Sequence, residues 1–287
     1  MVPAERQFIL TLSCPDQVGI VARVAGFFAD AGGWIVEASN HADRRECRFF
    51  LRHVVLADSL PFGIDELRDR FANLAEAMDM SWRITDTAER KRVVILVSSQ
   101  DHCLYDLLGR WKSGELDAEI PCIVSNHESL RAVVEWHGIP FRHVPITAED
   151  RTAGFARLRE AVDAVRPDAV VLARYMQILP PDLCEAWFGR AINIHHSFLP
   201  SFAGARAYHQ AHQRGVKLIG ATCHYVTGDL DAGPIIEQDV RRIDHGDTVE
   251  DLVRYGRDIE RTVLARGLRY HLEDRVLIHG NRTVVFA

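Results

Sequence analysis

The sequence predicts an α/β protein in two parts, a ferredoxin-like βαββαβ unit followed by a mainly parallel, Rossmann-like sheet with flanking helices. Three observations predict it. Up to Asp86, short apolar runs with strand character alternate with two amphipathic stretches in the order βαββαβ. From Arg92 onward, apolar strands alternate regularly with helical patterns, which is the signature of parallel α/β units. Between the two, Thr87–Lys91 (TAERK) is short, polar and without either periodicity. The boundary is placed there, giving residues 1–86, a linker at 87–91 and residues 92–287.

In the first unit, FILTLS over Phe8–Ser13 reads as a strand. CPDQVGIVARVAGFFADAGG then reads as a helix. Asp16 stands where a capping side chain would accept from free N–H groups, Val18, Val21, Ala22, Ala25 and Phe28 recur at helical spacing, and Gly32-Gly33 is the stop. WIVEASNHA and CRFFLRHVVL read as two strands about the polar turn Asp43-Arg44-Arg45. Residues 63–80 form a second helix with Leu67, Phe71, Leu74 and Met78 on one face, and SWRITD is the closing strand. In the second unit, RVVILVSS is apolar throughout, as a strand buried on both faces must be. His102–Lys112 follows as a helix, AEIPCIVSN as a strand, Glu128–His137 as a helix, FRHVPI as a strand, Thr152–Val165 as a helix and AVVLARY as a strand. After Pro180-Pro181 a short helix leads into the strand AINIHH. IGATCHYV and PIIEQDV are two more strands, Thr248–His271 is a long helix, and RVLIHGNRTVVF is a hairpin about Gly280-Asn281.

Composition narrows the class. Of 287 residues, 47% are hydrophobic and 26% charged, the balance of a globular chain. The net charge of −6 carries no basic stripe, which argues against a nucleic-acid partner. No run nears the ~20 apolar residues of a membrane span, and no apolar leader core follows Met1–Gln7. A cytoplasmic protein without a membrane partner is expected. The six cysteines form no CxxC and no zinc-finger spacing with histidine. Reduced, mostly buried thiols and no metal are expected.

The chemistry concentrates at Asn193-Ile194-His195-His196-Ser197-Phe198-Leu199-Pro200, at the carboxyl end of an apolar strand. Ligands of open α/β sheets bind at that edge. Asn193 and His195, two apart in an extended strand, face the same side. Downstream, Thr227-Gly228-Asp229-Leu230-Asp231-Ala232-Gly233-Pro234 is a turn that would return a carboxylate to the same edge. An amide can donate to a developing oxyanion, an imidazole can stabilise it or move a proton, and a carboxylate can orient water and take its proton. Taken singly, each has a duller reading. Asn193 is a turn former, His195 one of fourteen histidines, and an Asp beside Gly an ordinary turn residue. Ser197 has no base assigned to it, so a serine nucleophile is a poor reading.

Residues 91–287 resemble the folate-dependent formyltransferase domain shared by glycinamide ribonucleotide transformylases, methionyl-tRNA formyltransferases and formyltetrahydrofolate deformylases, and are most similar to the last. The resemblance runs through NIHHSFLP, YHQAHQRGVKLIGATCHYV, LDAGPIIEQDV and GNRTVVF. It implies catalytic roles for Asn193, His195 and Asp231, the last as the acid of the Leu-Asp-x-Gly-Pro motif, with Asp229 its rival. It implies an active-site position for His224. It also implies that Met176, Gln177, Ile178 and Leu179, in the stretch Arg174–Leu179, hold a pterin ring. Core packing would equally explain Met176, Ile178 and Leu179 without the resemblance. His196 stands where the transformylases have proline, as a holder of water or a cap of its loop. Residues 1–86 resemble an ACT domain. Asp16, Gln17, Val18, Gly19 and Ile20 match the strand-to-helix turn at which such domains take amino-acid effectors. Regulation and pure assembly are both open, and a homo-oligomer, dimer or tetramer, is expected.

The activity this implies is hydrolysis of 10-formyltetrahydrofolate to tetrahydrofolate and formate, with folate as substrate and no cofactor. The transformylases hold a nucleotide phosphate on a glycine-rich loop after their first strand. Here that loop is Val97-Ser98-Ser99-Gln100-Asp101-His102-Cys103, which has no glycine and an added carboxylate. Water is the acceptor that needs no site of its own. Formyl transfer to a small amine, or a folate and amino-acid sensor without turnover, are the alternatives. Formate release without an added acceptor separates them.

Overall fold

The computed structural model describes residues 5–201 and 207–287. The chain divides into two compact units. One runs up to Arg90 and includes Asp274–His279 and Val284–Ala287; the other is Lys91–Glu273 with Gly280–Thr283.

The first unit contains β1 (Gln7–Pro15), α1 (Ile20–Asp30), β2 (Ile35–Asp43), β3 (Arg48–Leu56), α2 (Ile64–Ala77) and β4 (Ser81–Asp86). Its strands lie in the order β2-β3-β1-β4 with every pairing antiparallel, the ferredoxin-like arrangement. Leu10, Leu12, Leu51 and Val55 of the central strands pack with Val24 and Phe28 of α1 and Leu67 and Phe71 of α2.

Helix α1 departs from the sequence expectation. β1 runs on to Pro15, so the helix starts late, with Gly19 at φ 93° as its N-cap and no side-chain cap. Asp16 does not cap it; its backbone N–H donates to Cys47 O. The delayed start rotates the buried stripe to Ile20, Val24 and Phe28. Val18 is 99% exposed and Val21 faces out as well. In α2, Leu67, Phe71 and Met78 are buried as expected.

The second unit contains β5 (Val93–Val97), α3 (His102–Ser113), β6 (Ile123–Ser125), α4 (Arg131–Trp136), β7 (Phe141–His143), α5 (Arg151–Asp163), β8 (Ala169–Leu172), α6 (Pro181–Ala186), β9 (Ala191–His195), α7 (Ala207–Arg214), β10 (Leu218–Tyr225), β11 (Ile235–Arg242) and α8 (Val249–Leu272). Thr248 caps α8 through a reciprocal capping box with Asp251. The tail forms the hairpin β12 (Val276–His279) and β13 (Arg282–Val285).

The sheet order is β11-β10-β9-β8-β5-β6-β7. β7, β6, β5, β8 and β9 are parallel, whereas β10 and β11 are antiparallel additions at one edge. The turn at 226–234 dictates the last pairing, because parallel neighbours need a crossover of a dozen or more residues. β5 is buried along its whole length, as its apolar run requires. The chain order reverses at β5, and the carboxyl ends of β5, β8 and β9 open there.

Candidate active site

Strand pairing places the polar residues. β10 pairs with β9 so that His224 lies opposite Asn193 and Thr222 opposite His195. The Asn193 Nδ2 donates to His224 Nε2 at 3.2 Å. The other ring nitrogen of His224 is 2.9 Å from Tyr225 O, so its proton sits on Nδ1 and Nε2 is left as the acceptor. One N–H of the Asn193 amide is thus engaged, and the other has no hydrogen-bond partner among the described residues.

The turn after β10 brings in the acid. Asp231 Oδ2 is 3.2 Å from His195 Nδ1, and Oδ1 is 3.9 Å from His224 Nε2. Asp231 adopts φ 54°, a left-handed conformation uncommon outside glycine. Gly233 lets the turn lie against β10, since a Cβ there would fall 1.9 Å from Tyr225 O. Tyr225 N–H closes the turn on Pro234 O at 2.9 Å. His195 is buried, and its Nε2 has no hydrogen-bond partner among the described residues.

These groups line a cavity of about 300 Å³. Its wall also contains Met176, Gln177, Ile178, Leu179, His196 and Asp229. The structure therefore brings together Asn193, His195, Asp231 and the residues assigned to the substrate. Met176 and Ile178 are 53% and 59% exposed, and are not core side chains. Asp229 is exposed on the rim, and Asp231 is the carboxylate beside His195. Met176 N–H donates to Ser98 Oγ at 2.9 Å, and Ser98 in turn donates to Asn126 Oδ1 at 2.6 Å, fastening the 174–179 turn to the loops after β5 and β6.

Burial sets the charge of two histidines. His196 is pushed down to about 4, by desolvation first and then by the neighbouring Arg174 guanidinium and His195 ring. Desolvation also lowers His224, against the opposing pull of Tyr225 O and Asp231. Both rings are neutral near pH 7 and serve as hydrogen-bonding groups, not charges.

The sequence reading missed a buried cluster beside this cavity. Glu260 Oε2 faces His102 Nε2 at 2.9 Å and Arg174 Nε at 3.4 Å, and Tyr208 Oη donates to Glu260 Oε1 at 2.6 Å. A carboxylate within the buried stripe Leu252, Gly256, Ile259, Val263 of α8 is the signal that would have found it. His102, Cys103 and Glu260 put potential metal ligands within 4.8 Å of one another. The Arg174 guanidinium already neutralises the carboxylate, and burial holds the Cys103 thiol well above its ordinary pKa. The trio suits an ion-pair cluster better than a cation.

In the first unit, Asp16, Gln17 and Val18 are exposed, Gly19 is the α1 cap, and Ile20 is buried in the core, where its side chain cannot meet a ligand. Gln17 Nε2 donates to Met78 O at 3.4 Å.

The formyl transferase family model matches residues 91–268. Formyltetrahydrofolate deformylase from Bacillus subtilis is 49% identical over 96% of this chain and 93% of its own length. The chain belongs to the formyltetrahydrofolate deformylase family. A crystal structure of a deformylase from Pseudomonas syringae pv. tomato superposes with a TM-score of 0.98 at 58% identity, covering 100% of this chain and 96% of that one. Glycinamide ribonucleotide transformylase 1 from Symbiobacterium toebii gives a TM-score of 0.66 at 31% identity, over 70% of this chain and 97% of that one. In a family named for deformylation, the Asn–His–Asp constellation stands on β9 and the β10–β11 turn. Among the described residues, no helix is long and apolar enough to cross a membrane.

Proposed function

We propose that this chain hydrolyses 10-formyltetrahydrofolate to tetrahydrofolate and formate, with Asn193, His195 and Asp231 as its catalytic residues. The observation that carries the reading is the Asp231–His195 pair at 3.2 Å in the cavity of a deformylase-family chain. The pterin lies against Met176, Gln177, Ile178 and Leu179, with the formyl group toward Asn193 and His195. Asp231 orients a water and takes its proton as the oxygen adds to the formyl carbon. The free Asn193 N–H and His195 Nε2–H donate to the oxyanion, while His195 Nδ1–H donates to Asp231. The carbon–nitrogen bond then breaks, the proton held by Asp231 passes to the leaving amine nitrogen, and formate departs. His224 orients Asn193, and neutral His196 holds water. No cofactor enters the reaction.

Water as acceptor is supported by the loop after β5. Asp101 stands at the N-cap of α3 with its carboxylate where a helix N-terminus would otherwise welcome a phosphate. The first unit is read as an ACT-like domain built on residues 1–86, joined by residues 87–91 to a catalytic domain that begins at 92; the tail segments Asp274–His279 and Val284–Ala287, expected with the second part, group with the first unit instead. The first unit serves regulation by an amino acid such as glycine or methionine at the Asp16–Gly19 turn, or assembly of a dimer or tetramer in the cytoplasm.

The test is release of formate and tetrahydrofolate from 10-formyltetrahydrofolate by the purified protein with no added acceptor, beside His195→Ala. Equal amounts of both products, lost in the variant, are expected. Folate binding without formate would reject hydrolysis in favour of transfer to an amine.

A further inference from the structure

We infer that Glu260 is a positioning residue for the hydrolysis proposed above, bracing both walls of the substrate cavity from one buried carboxylate. The inference rests on that reading. Glu260 lies on α8, its side chain 2% exposed, and its three partners come from α3 (His102), α7 (Tyr208) and the turn after β8 (Arg174). Two of these lead directly to the cavity.

The first arm is Arg174. It begins the turn whose Met176–Leu179 segment lines the cavity, and it holds φ 62°. A residue with a Cβ occupies that left-handed conformation only where its surroundings impose it. Here the guanidinium is tied between Glu260 and Gln100 Oε1, the latter at 3.1 Å. The second arm is Tyr208, whose ring packs edge-on against His196 at 5.7 Å between centroids. His196 in turn lies 4.9 Å from the ring of His195. One carboxylate thus reaches both the folate-holding turn and the histidine pair.

α8 is shaped for this contact. A Cβ at Gly256 would fall 2.0 Å from the Tyr208 hydroxyl, so glycine there admits the phenol to Glu260. A buried ion pair is seldom the most stabilising way to fill a core, since apolar groups of the same shape often do as well. Geometric definition of the cavity is what this network adds over apolar packing.

The experiment compares wild type with Glu260→Gln, which keeps the shape and removes the charge, and reads kcat and KM for formate release together with melting temperature. Displacing a reacting group by about 1 Å costs on the order of 100-fold. Glu260→Gln is expected to lower kcat/KM by roughly 10- to 100-fold in protein that remains folded. Arg174→Gln, which cuts one arm, is expected to act mainly through KM, and Tyr208→Phe, which cuts the other, mainly through kcat. Arg174→Lys should restore part of the loss. The double variant Arg174→Gln/Glu260→Gln should be no worse than the poorer single. A lower melting temperature with wild-type kcat and KM would reduce the network to structure and overturn the inference. If Glu260→Gln fails to fold, unchanged kinetics in both Arg174→Gln and Tyr208→Phe would overturn it equally. Wild type that releases no formate would defeat the hydrolytic reading instead. Calorimetric titration with tetrahydrofolate then tests the brace alone, with weaker binding to Arg174→Gln expected and equal binding overturning it.

Discussion

Asp231 reaches His195 from a turn thirty-odd residues downstream, and its Oδ2 stands 3.2 Å from the imidazole Nδ1, while Asp229 two residues earlier stays exposed on the cavity rim. The two carboxylates are therefore separable by experiment. Asp231→Asn is expected to lower kcat for formate release by at least about 100-fold, and Asp229→Asn to change it less than about fivefold. Comparable losses in both would remove the distinction.

Asn193 and His195 are proposed to share one oxyanion. Loss of a single such donor typically costs about 100- to 1000-fold in rate. Asn193→Ala and His195→Ala should each show a loss of that order in kcat, with melting temperatures near wild type. A variant that keeps near wild-type turnover takes its residue out of the mechanism.

Met176 and Ile178 are large apolar side chains held half out of the protein on the cavity wall. Truncation to alanine should raise KM about tenfold while leaving kcat nearly unchanged, because the proposed contact with the pterin would be the same in ground and transition states. A fall in kcat at constant KM would place them elsewhere in the reaction.

Gly233 holds the Asp231 turn against β10, leaving no room for a Cβ beside Tyr225 O. Gly233→Ala should displace Asp231 and cost roughly 100-fold in kcat/KM. Circular dichroism should be unchanged, and full activity would mean that the turn tolerates the shift.

His53 gives a pH prediction for the first unit. It is 1% exposed on β3, neither ring nitrogen has a hydrogen-bond partner among the described residues, and burial lowers its pKa from 6.5 to about 4. The folded pKa lies below the unfolded one, so the unfolded chain takes up more protons between pH 6.5 and 4. Stability is full above that window and falls as the pH drops through it, by at most about 1.4 kcal/mol per pH unit. His53→Leu should flatten the decline in melting temperature between pH 7 and 5. Parallel declines would show that His53 does not titrate with folding.

The sequence made the catalytic unit easy to read because its signals are local. Continuous apolar runs marked β5 and β8, alternate positions put Asn193 and His195 on one side, and the aspartate- and glycine-rich turn at 227–234 marked a returning acid, with only the family resemblance favouring Asp231 over Asp229. α1 was misjudged because two starting points compete. Asp16 has capping chemistry, but β1 continues to Pro15 and only the positive φ of Gly19 lets the chain turn into the helix. Glu260 was overlooked for another reason. Its partners His102, Tyr208 and Arg174 converge only when α3, α7, α8 and the turn after β8 pack together. No spacing along the chain encodes that meeting.

The antiparallel joining of β9 and β10 governs how this site can vary. Asn193, His195 and His224 stand on a hydrogen-bonded ladder, so a slip of one residue in β10 would swing His224 to the opposite face. Asp231 hangs on a loop instead, and an inserted or deleted residue at 226–230 could move the acid while the donors stay where the ladder puts them. The strand ladder fixes the proposed oxyanion donors, and the loop is the part on which a new nucleophile could be tried.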